Sequence, residues 1–188
     1  MAKFEEIREE IKEIIRESPI EEDLGHSETT LQWLLKLKPD ADEALQIAAL
    51  AHDIERGVTK KSETSLSDYK NGYAEYKKQH ASMSAKIISE MLQRYGYDDK
   101  FAEKVKKLVE NHEVGGSPET DVLRDADSLS FFLYNLSFNL KRNGREIAKE
   151  KIKFMYSRMS EKAKEIAQKI DLANEELTKL FKESISEI

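Results

Sequence analysis

Apolar residues recur at every third or fourth position along nearly the whole chain, and no stretch alternates apolar with polar residues for long enough to build a sheet. With three prolines and seven glycines among 188 residues there are few breaks, and 36% of the side chains are charged, as on the outer faces of long helices. The pattern predicts an all-α, single-domain helical bundle. The length suffices for one domain with a proper core.

Phe4, Ile7, Ile11, Ile14 and Ile15 form the stripe of a first helix at about residues 3–17, which Ser18-Pro19 ends. Ser27 is placed to cap a second helix running through Leu37, with Leu31, Trp33, Leu34 and Leu35 as its buried side, and Pro39 breaks it. Asp40 with Glu43 three residues on has a capping-box pattern and opens the third helix. This is the most apolar helix in the chain, hence the expected centre of the bundle, and Gly57 is its expected stop. Residues 58–71, with Lys60, Lys61 and Lys70, read as a loop. A long helix follows at about 72–95, with Tyr69, Tyr73, Tyr76 and His80 spaced for one face and Lys77-Lys78 on a solvated side. A helix at about 98–111 delivers His112 to its end, and Gly115-Gly116 breaks the chain before Ser117-Pro118 opens the next. That helix carries Asp127 on a face with Leu123, Phe131 and Tyr134. Helices near 145–158, 160–170 and 171–188 complete the chain, and the Lys- and Glu-rich ones at both ends read as ordinary amphipathic surfaces.

A formal net charge of −6 argues against a dedicated nucleic-acid binder, which presents a basic face. It leaves room for a small phosphorylated ligand, which needs only a few local Lys or Arg. No apolar run approaches the ~18 residues of a membrane span. The charged segment Met1–Glu6 is unlike a secretory signal, and the absence of cysteine excludes disulfides and thiolate ligands; both fit a cytoplasmic protein. The Lys/Glu richness resembles that of heat-adapted proteins.

Only four histidines occur, in the order His26, His52, His80, His112, with Asp53 directly after His52 and Asp127 after the last. The pair His52-Asp53 follows the apolar run 44–51, where a charge is costly unless something pairs with it. A divalent cation would do so, helped by the negative end of the helix macrodipole. Imidazole and carboxylate without sulfur suit Mn²⁺, Fe²⁺, Co²⁺, Ni²⁺ or Zn²⁺, with Mg²⁺ also compatible. His26, His52, Asp53 and Asp127 would hold one ion; His80 and His112 would complete a second site, with Asp53 able to bridge.

The order His…His-Asp…Asp, with AALAHDIER at residues 48–56 and LRDADSLSFF at 123–132, resembles the HD-domain superfamily, and the six-residue form resembles its two-metal members. The resemblance covers roughly residues 25–140, leaving helices 3–17 and 145–188 as additions. Many members continue the pair with Ile-Gly where this chain has Ile54-Glu55, so that Glu55 could approach the metal or the substrate, or face solvent. Asp125 and Asp127 both stand as candidate ligands, and the resemblance favours Asp127. Residues 26–61 also resemble a group of uncharacterised bacterial proteins in which the pair is degraded.

The resemblance implies an all-helical metal-dependent phosphohydrolase acting on a small phosphorylated molecule, plausibly a nucleotide. One or two metal ions would lower the pKa of water toward ~7 and neutralise phosphate oxygens. His52 and Asp53 would carry the catalysis, and Arg56, Lys60, Lys61 and Arg124 are the candidate phosphate clamps. The rival expectations are a di-iron oxygenase of the same superfamily and a non-catalytic nucleotide- or metal-binding module. A homodimer is compatible with the pattern.

Overall fold

The computed structural model describes residues 2–60 and 73–188, so Lys61, Tyr69 and most of the expected 58–71 loop lie outside the described residues. Those described form helices and connecting turns, with no strand among them. The protein is an all-α, single-domain bundle, as its periodicity predicts.

Helix α1 (Ala2–Arg16) buries Ile7, Ile11 and Ile15 completely or nearly so, each burial stabilising by roughly 1.5–3 kcal/mol. Helix α2 (Asp23–Leu37) begins four residues before the expected cap. Ser27 therefore lies inside it, and its hydroxyl donates to the Leu50 carbonyl at 2.5 Å, tying α2 to the next helix. Helix α3 (Glu43–Ala51) is capped by Asp42 rather than Asp40: the Asp42 carboxylate accepts from Leu45 N at 3.0 Å. It is buried on all sides among α1, α2 and later helices, the central position its composition predicts.

The expected stop at Gly57 is not where α3 ends. The helix breaks at His52, and a turn leads into the short α4 (Glu55–Thr59), which contains Gly57. Gly57 is required for approach rather than termination: a Cβ there would lie 2.0 Å from the Ile14 carbonyl oxygen of α1. Lys60, in the left-handed conformation, closes α4.

Helix α5 (Tyr73–Arg94) packs along α6 (Asp99–Glu110), and α7 (Pro118–Ser130) packs along α2. The Ser117 side chain accepts from Thr120 N and the Thr120 side chain accepts from Ser117 N, a reciprocal cap. Where the sequence shows only a helical face, α7 runs into a π-helical turn (Phe131–Asn135) and then α8 (Leu136–Asn143). Helices α9 (Arg145–Ser157), α10 (Glu161–Ala167) and α11 (Glu175–Ser186) follow near the expected places. Two groups of buried side chains, one around α1–α3 and one around α9–α11, are joined by Trp33 and Leu37, which pack against both.

Candidate metal centre

The four histidines come from four places. His26 is in the first turn of α2, His52 caps the end of α3, His80 projects from α5, and His112 follows α6. All four are at most 4% exposed. The rings form a chain, with centroids 5.1 Å apart for His26–His52, 5.2 Å for His52–His112 and 6.3 Å for His80–His112.

Each Nδ1 is tied to an acceptor. That of His52 donates to the Ala49 carbonyl at 2.9 Å, and that of His112 to the Val109 carbonyl at 2.6 Å. The Ser130 hydroxyl donates to the His26 carbonyl, which leaves its oxygen to receive the His26 Nδ1–H at 2.9 Å. Glu55 Oε2 receives the His80 Nδ1–H at 2.9 Å. Occupied Nδ1 atoms fix the rings and direct Nε2 inward, the arrangement that metal-binding imidazoles require.

The inward atoms fall into two adjacent sets, and a third group, His112, Glu113 and Asp127, overlaps both. In the first, His26 Nε2 lies 3.2 Å from His52 Nε2 and 3.1 Å from Asp127 Oδ1, with His52 Nε2 3.9 Å from the same oxygen. An ion with bonds of ~2.1 Å places adjacent donors about 3.0 Å apart in octahedral and about 3.4 Å apart in tetrahedral geometry. The two spacings from His26 match a divalent cation, and the His52–Asp127 spacing is wider than either value. In the second, Asp53, His80 and His112 each offer a donor within 4.8 Å of the other two. His112 Nε2 is buried without a hydrogen-bond partner, its nearest carboxylate oxygen being Glu113 Oε1 at 3.5 Å. Asp53 connects the sets, with Oδ1 2.7 Å from His80 Nε2 and Oδ2 3.8 Å from His52 Nε2.

Around these donors lies a buried network of charge. Asp127 pairs with Arg158, which also pairs with Glu113, and Glu113 pairs in turn with Lys77. Arg56 Nη1 bridges Asp53 at 2.5 Å and Asp23 at 3.0 Å. Burial alone would raise the Asp53 and Asp127 carboxyls, yet Arg56 beside one and Arg158 beside the other, with the histidines, hold both well below the usual carboxylate range. Burial likewise opposes ionisation of Glu113, and Lys77 and Arg158 overcome it. Burial pushes His52 down to about 4 despite Asp53 and Asp127, so this ring is neutral at pH 7 and able to ligate. It would also lower His80, but Asp53 and Glu55 on its two nitrogens lift it to about 9.

The six expected ligands are thus brought together. Of the two candidate aspartates, Asp125 is committed elsewhere, accepting from Ser160 N at 2.8 Å and Ser160 Oγ at 2.5 Å at the start of α10. Glu55, where the resemblance has glycine, neither faces solvent nor stands among the inward donors: it positions His80. The expected phosphate clamps fare unevenly. Arg56 reaches the site, but Lys60 extends to the Glu17 carbonyl and carboxylate, and Arg124 is held by the Val114 carbonyl and Asp121.

Lys77, expected on a solvated side, is 8% exposed and faces inward, with burial lowering its ammonium to about 8 against the pull of Glu113. The C-terminal helices are likewise more than surface additions. Lys151 of α9 and Arg158 just beyond it are brought in beside the cluster. Nothing in the local sequence separates these residues from the many other lysines, arginines and glutamates. One weak signal existed for Lys77: it is three residues from His80, on the same helix face.

The cluster opens into a cleft whose lining includes His26, Asp53, Asp127, Lys77, Lys151 and Asn139. It encloses about 510 Å³ of atom-free space out to its mouth, of which about 40 Å³ is open to the centre of a water molecule. A family model described as a domain of unknown function, DUF4202, matches residues 5–180. The chain belongs to this family. No curated protein and no solved structure matches it. The matched span takes in every residue of the cluster and of its charged surroundings, α9 included.

Proposed function

We propose that this member of the family is a metal-dependent phosphohydrolase of the HD type, acting on a small phosphorylated molecule. The observation that carries the reading is the joint arrangement of four anchored imidazoles with Asp53 and Asp127, at spacings suited to divalent cations. When bound, such a cation supplies Lewis acidity toward a phosphate oxygen and a more acidic water. His26, His52 and Asp127 would hold one ion, and His80 and His112 a second, with Asp53 between them.

The remaining chemistry belongs to the chain's own cations. Lys77 and Lys151 line the cleft and favour a phosphate dianion there. Arg158 and Arg56 keep Asp127 and Asp53 ionised and oriented. Asp53, within reach of both sets, is positioned to orient an attacking water beside the phosphate.

Elemental analysis of protein expressed with several metals, combined with phosphate release from a panel of small esters, tests the reading. One or two equivalents of Mn, Co, Ni, Zn or Fe with phosphate release that Asp53→Ala abolishes would support it. Metal without turnover across the panel would replace it with a binding module. The adjacency of the second set favours one specific rival: two irons per chain, with substrate-dependent O₂ consumption and no phosphate release, would make the protein an oxygenase.

A further inference from the structure

Asn139 is 4% exposed and lines the cleft, yet its side-chain oxygen has no hydrogen-bond partner, and the buried side-chain oxygen of Asn135 on the same wall has none either. Buried amides are ordinarily satisfied, so two unsatisfied ones lining one cleft point to a ligand that completes them. Their spacing of four residues puts them on one helical face. Asn135 closes the π-helical turn and Asn139 lies in the helix after it. Single π turns inserted in helices are frequent at functional sites, because the extra residue re-aims the side chains that follow.

Resting on the phosphohydrolase reading, we propose that Asn135 and Asn139 form a hydroxyl-recognising subsite and that the substrate is a slim, hydroxylated phosphate ester of a few carbons, a polyol or small sugar phosphate, rather than a nucleotide. An amide carries both acceptor and donors, and interchanging its oxygen and nitrogen leaves that capacity intact. It therefore matches an alcohol, which also both donates and accepts. A second anionic group would instead call for cations. Of those lining the cleft, Lys77 and Lys151 stand beside the phosphate chemistry, Arg56 pairs with Asp53 and Asp23, and Arg142 pairs with Glu22. The shape of the cleft points the same way. Its walls leave only about 40 Å³ open to water centres, and apart from the metal-facing imidazole of His26, Phe131 is the only aromatic side chain among its described lining residues. That ring has the Lys151 ammonium 5.7 Å from its centroid and Phe132 edge-on at the same distance. A fused-ring base would find no free stacking surface there.

The test is calorimetric titration of the full-length, metal-loaded protein with glycerol phosphate, n-propyl phosphate and AMP. The first two share a carbon chain and differ in their hydroxyls. Glycerol phosphate is expected to bind about tenfold more tightly than propyl phosphate, the worth of one or two neutral hydrogen bonds, and more tightly than AMP. Asn139→Leu, with Asn135→Leu as the second variant, is expected to bring the ratio of the first two toward one. The wild-type ratio needs no variant to fold. A wild-type ratio near one, tighter binding of AMP, or no binding of glycerol phosphate would overturn the subsite. Phosphate release separates the two readings. Selective binding without release would remove hydrolysis and leave the subsite standing, whereas release from both three-carbon esters with equal kcat/KM would do the reverse.

Discussion

The two sets of donors use the same residue types, but they hold their charge differently. In the first, the neutral ring of His52 stands beside His26 and Asp127, with Asp127 balanced by Arg158. In the second, both nitrogens of His80 face carboxylates, Asp53 and Glu55, and the ring is a cation up to about pH 9. Beside His26, which burial would lower but pairing with Asp127 raises above its ordinary value, the first set presents one neutral imidazole, His52, to an incoming ion. The second keeps a proton in the place of one, and an ion entering there must displace it. Proximity of ligands is therefore not the whole of metal affinity: what each ligand gives up on binding counts as well.

The hardest test of this contrast removes the residue common to both sets. Asp53→Ala is expected to lower metal content below a tenth of wild type and to destabilise the metal-free protein by about 3–5 kcal/mol, because Arg56, which keeps Asp23, and His80 each lose a buried carboxylate. Elemental analysis and urea unfolding measure the two effects, and retention of full metal content would dismantle the proposed centre. A paired comparison sharpens ligand identity. Asp127→Ala should empty the first set, whereas Asp125→Ala should keep the metal and cost about 1–2 kcal/mol through loss of its bonds to Ser160. The reverse outcome would exchange the roles of the two aspartates.

The proton on His80 gives a pH signature. Its folded value near 9 lies above the ordinary 6.5, so the stabilisation it provides is complete below about pH 6.5 and is lost as the pH rises toward 9. The thermal midpoint of the chelated protein should therefore fall across that window, and His80→Gln should flatten the fall; parallel curves would show that the second set holds no proton. Uptake of a second equivalent of metal should grow over the same range. The smallest effect is expected at Lys60, whose exposed pair with Glu17 lies outside both sets. Lys60→Ala should change stability by no more than about 0.5 kcal/mol and leave metal content unchanged.

Much of the bundle was legible because a helix advertises its buried face every three to four residues. The stripe Ile7, Ile11, Ile15 and the helix start at Ser117-Pro118 could be read directly. The misreadings were local competitions. Ser27 has the chemistry of a cap but bonds to Leu50 across the helix interface, and Gly57 has the chemistry of a stop but serves the approach of α1. The ligands were legible for a different reason: histidine is scarce in this chain, so four of them among apolar segments form a signal. Lysine, arginine and glutamate are abundant, and no spacing marks Glu113 or Arg158 as ones that turn inward; Lys77 has only its three-residue offset from His80.

By itself, then, the sequence determined a helical bundle and the donor atoms available to a metal, because periodicity and residue type are local properties. Only the tertiary structure decided which charges surround those donors and which amides line the cleft. Arg158 reaches Asp127 across 31 positions and Glu113 across 45. Such pairings depend on which helix faces which. A helical repeat specifies the face that turns inward but not the neighbour it meets, and it is the neighbour that sets the burial, charge and protonation of the site.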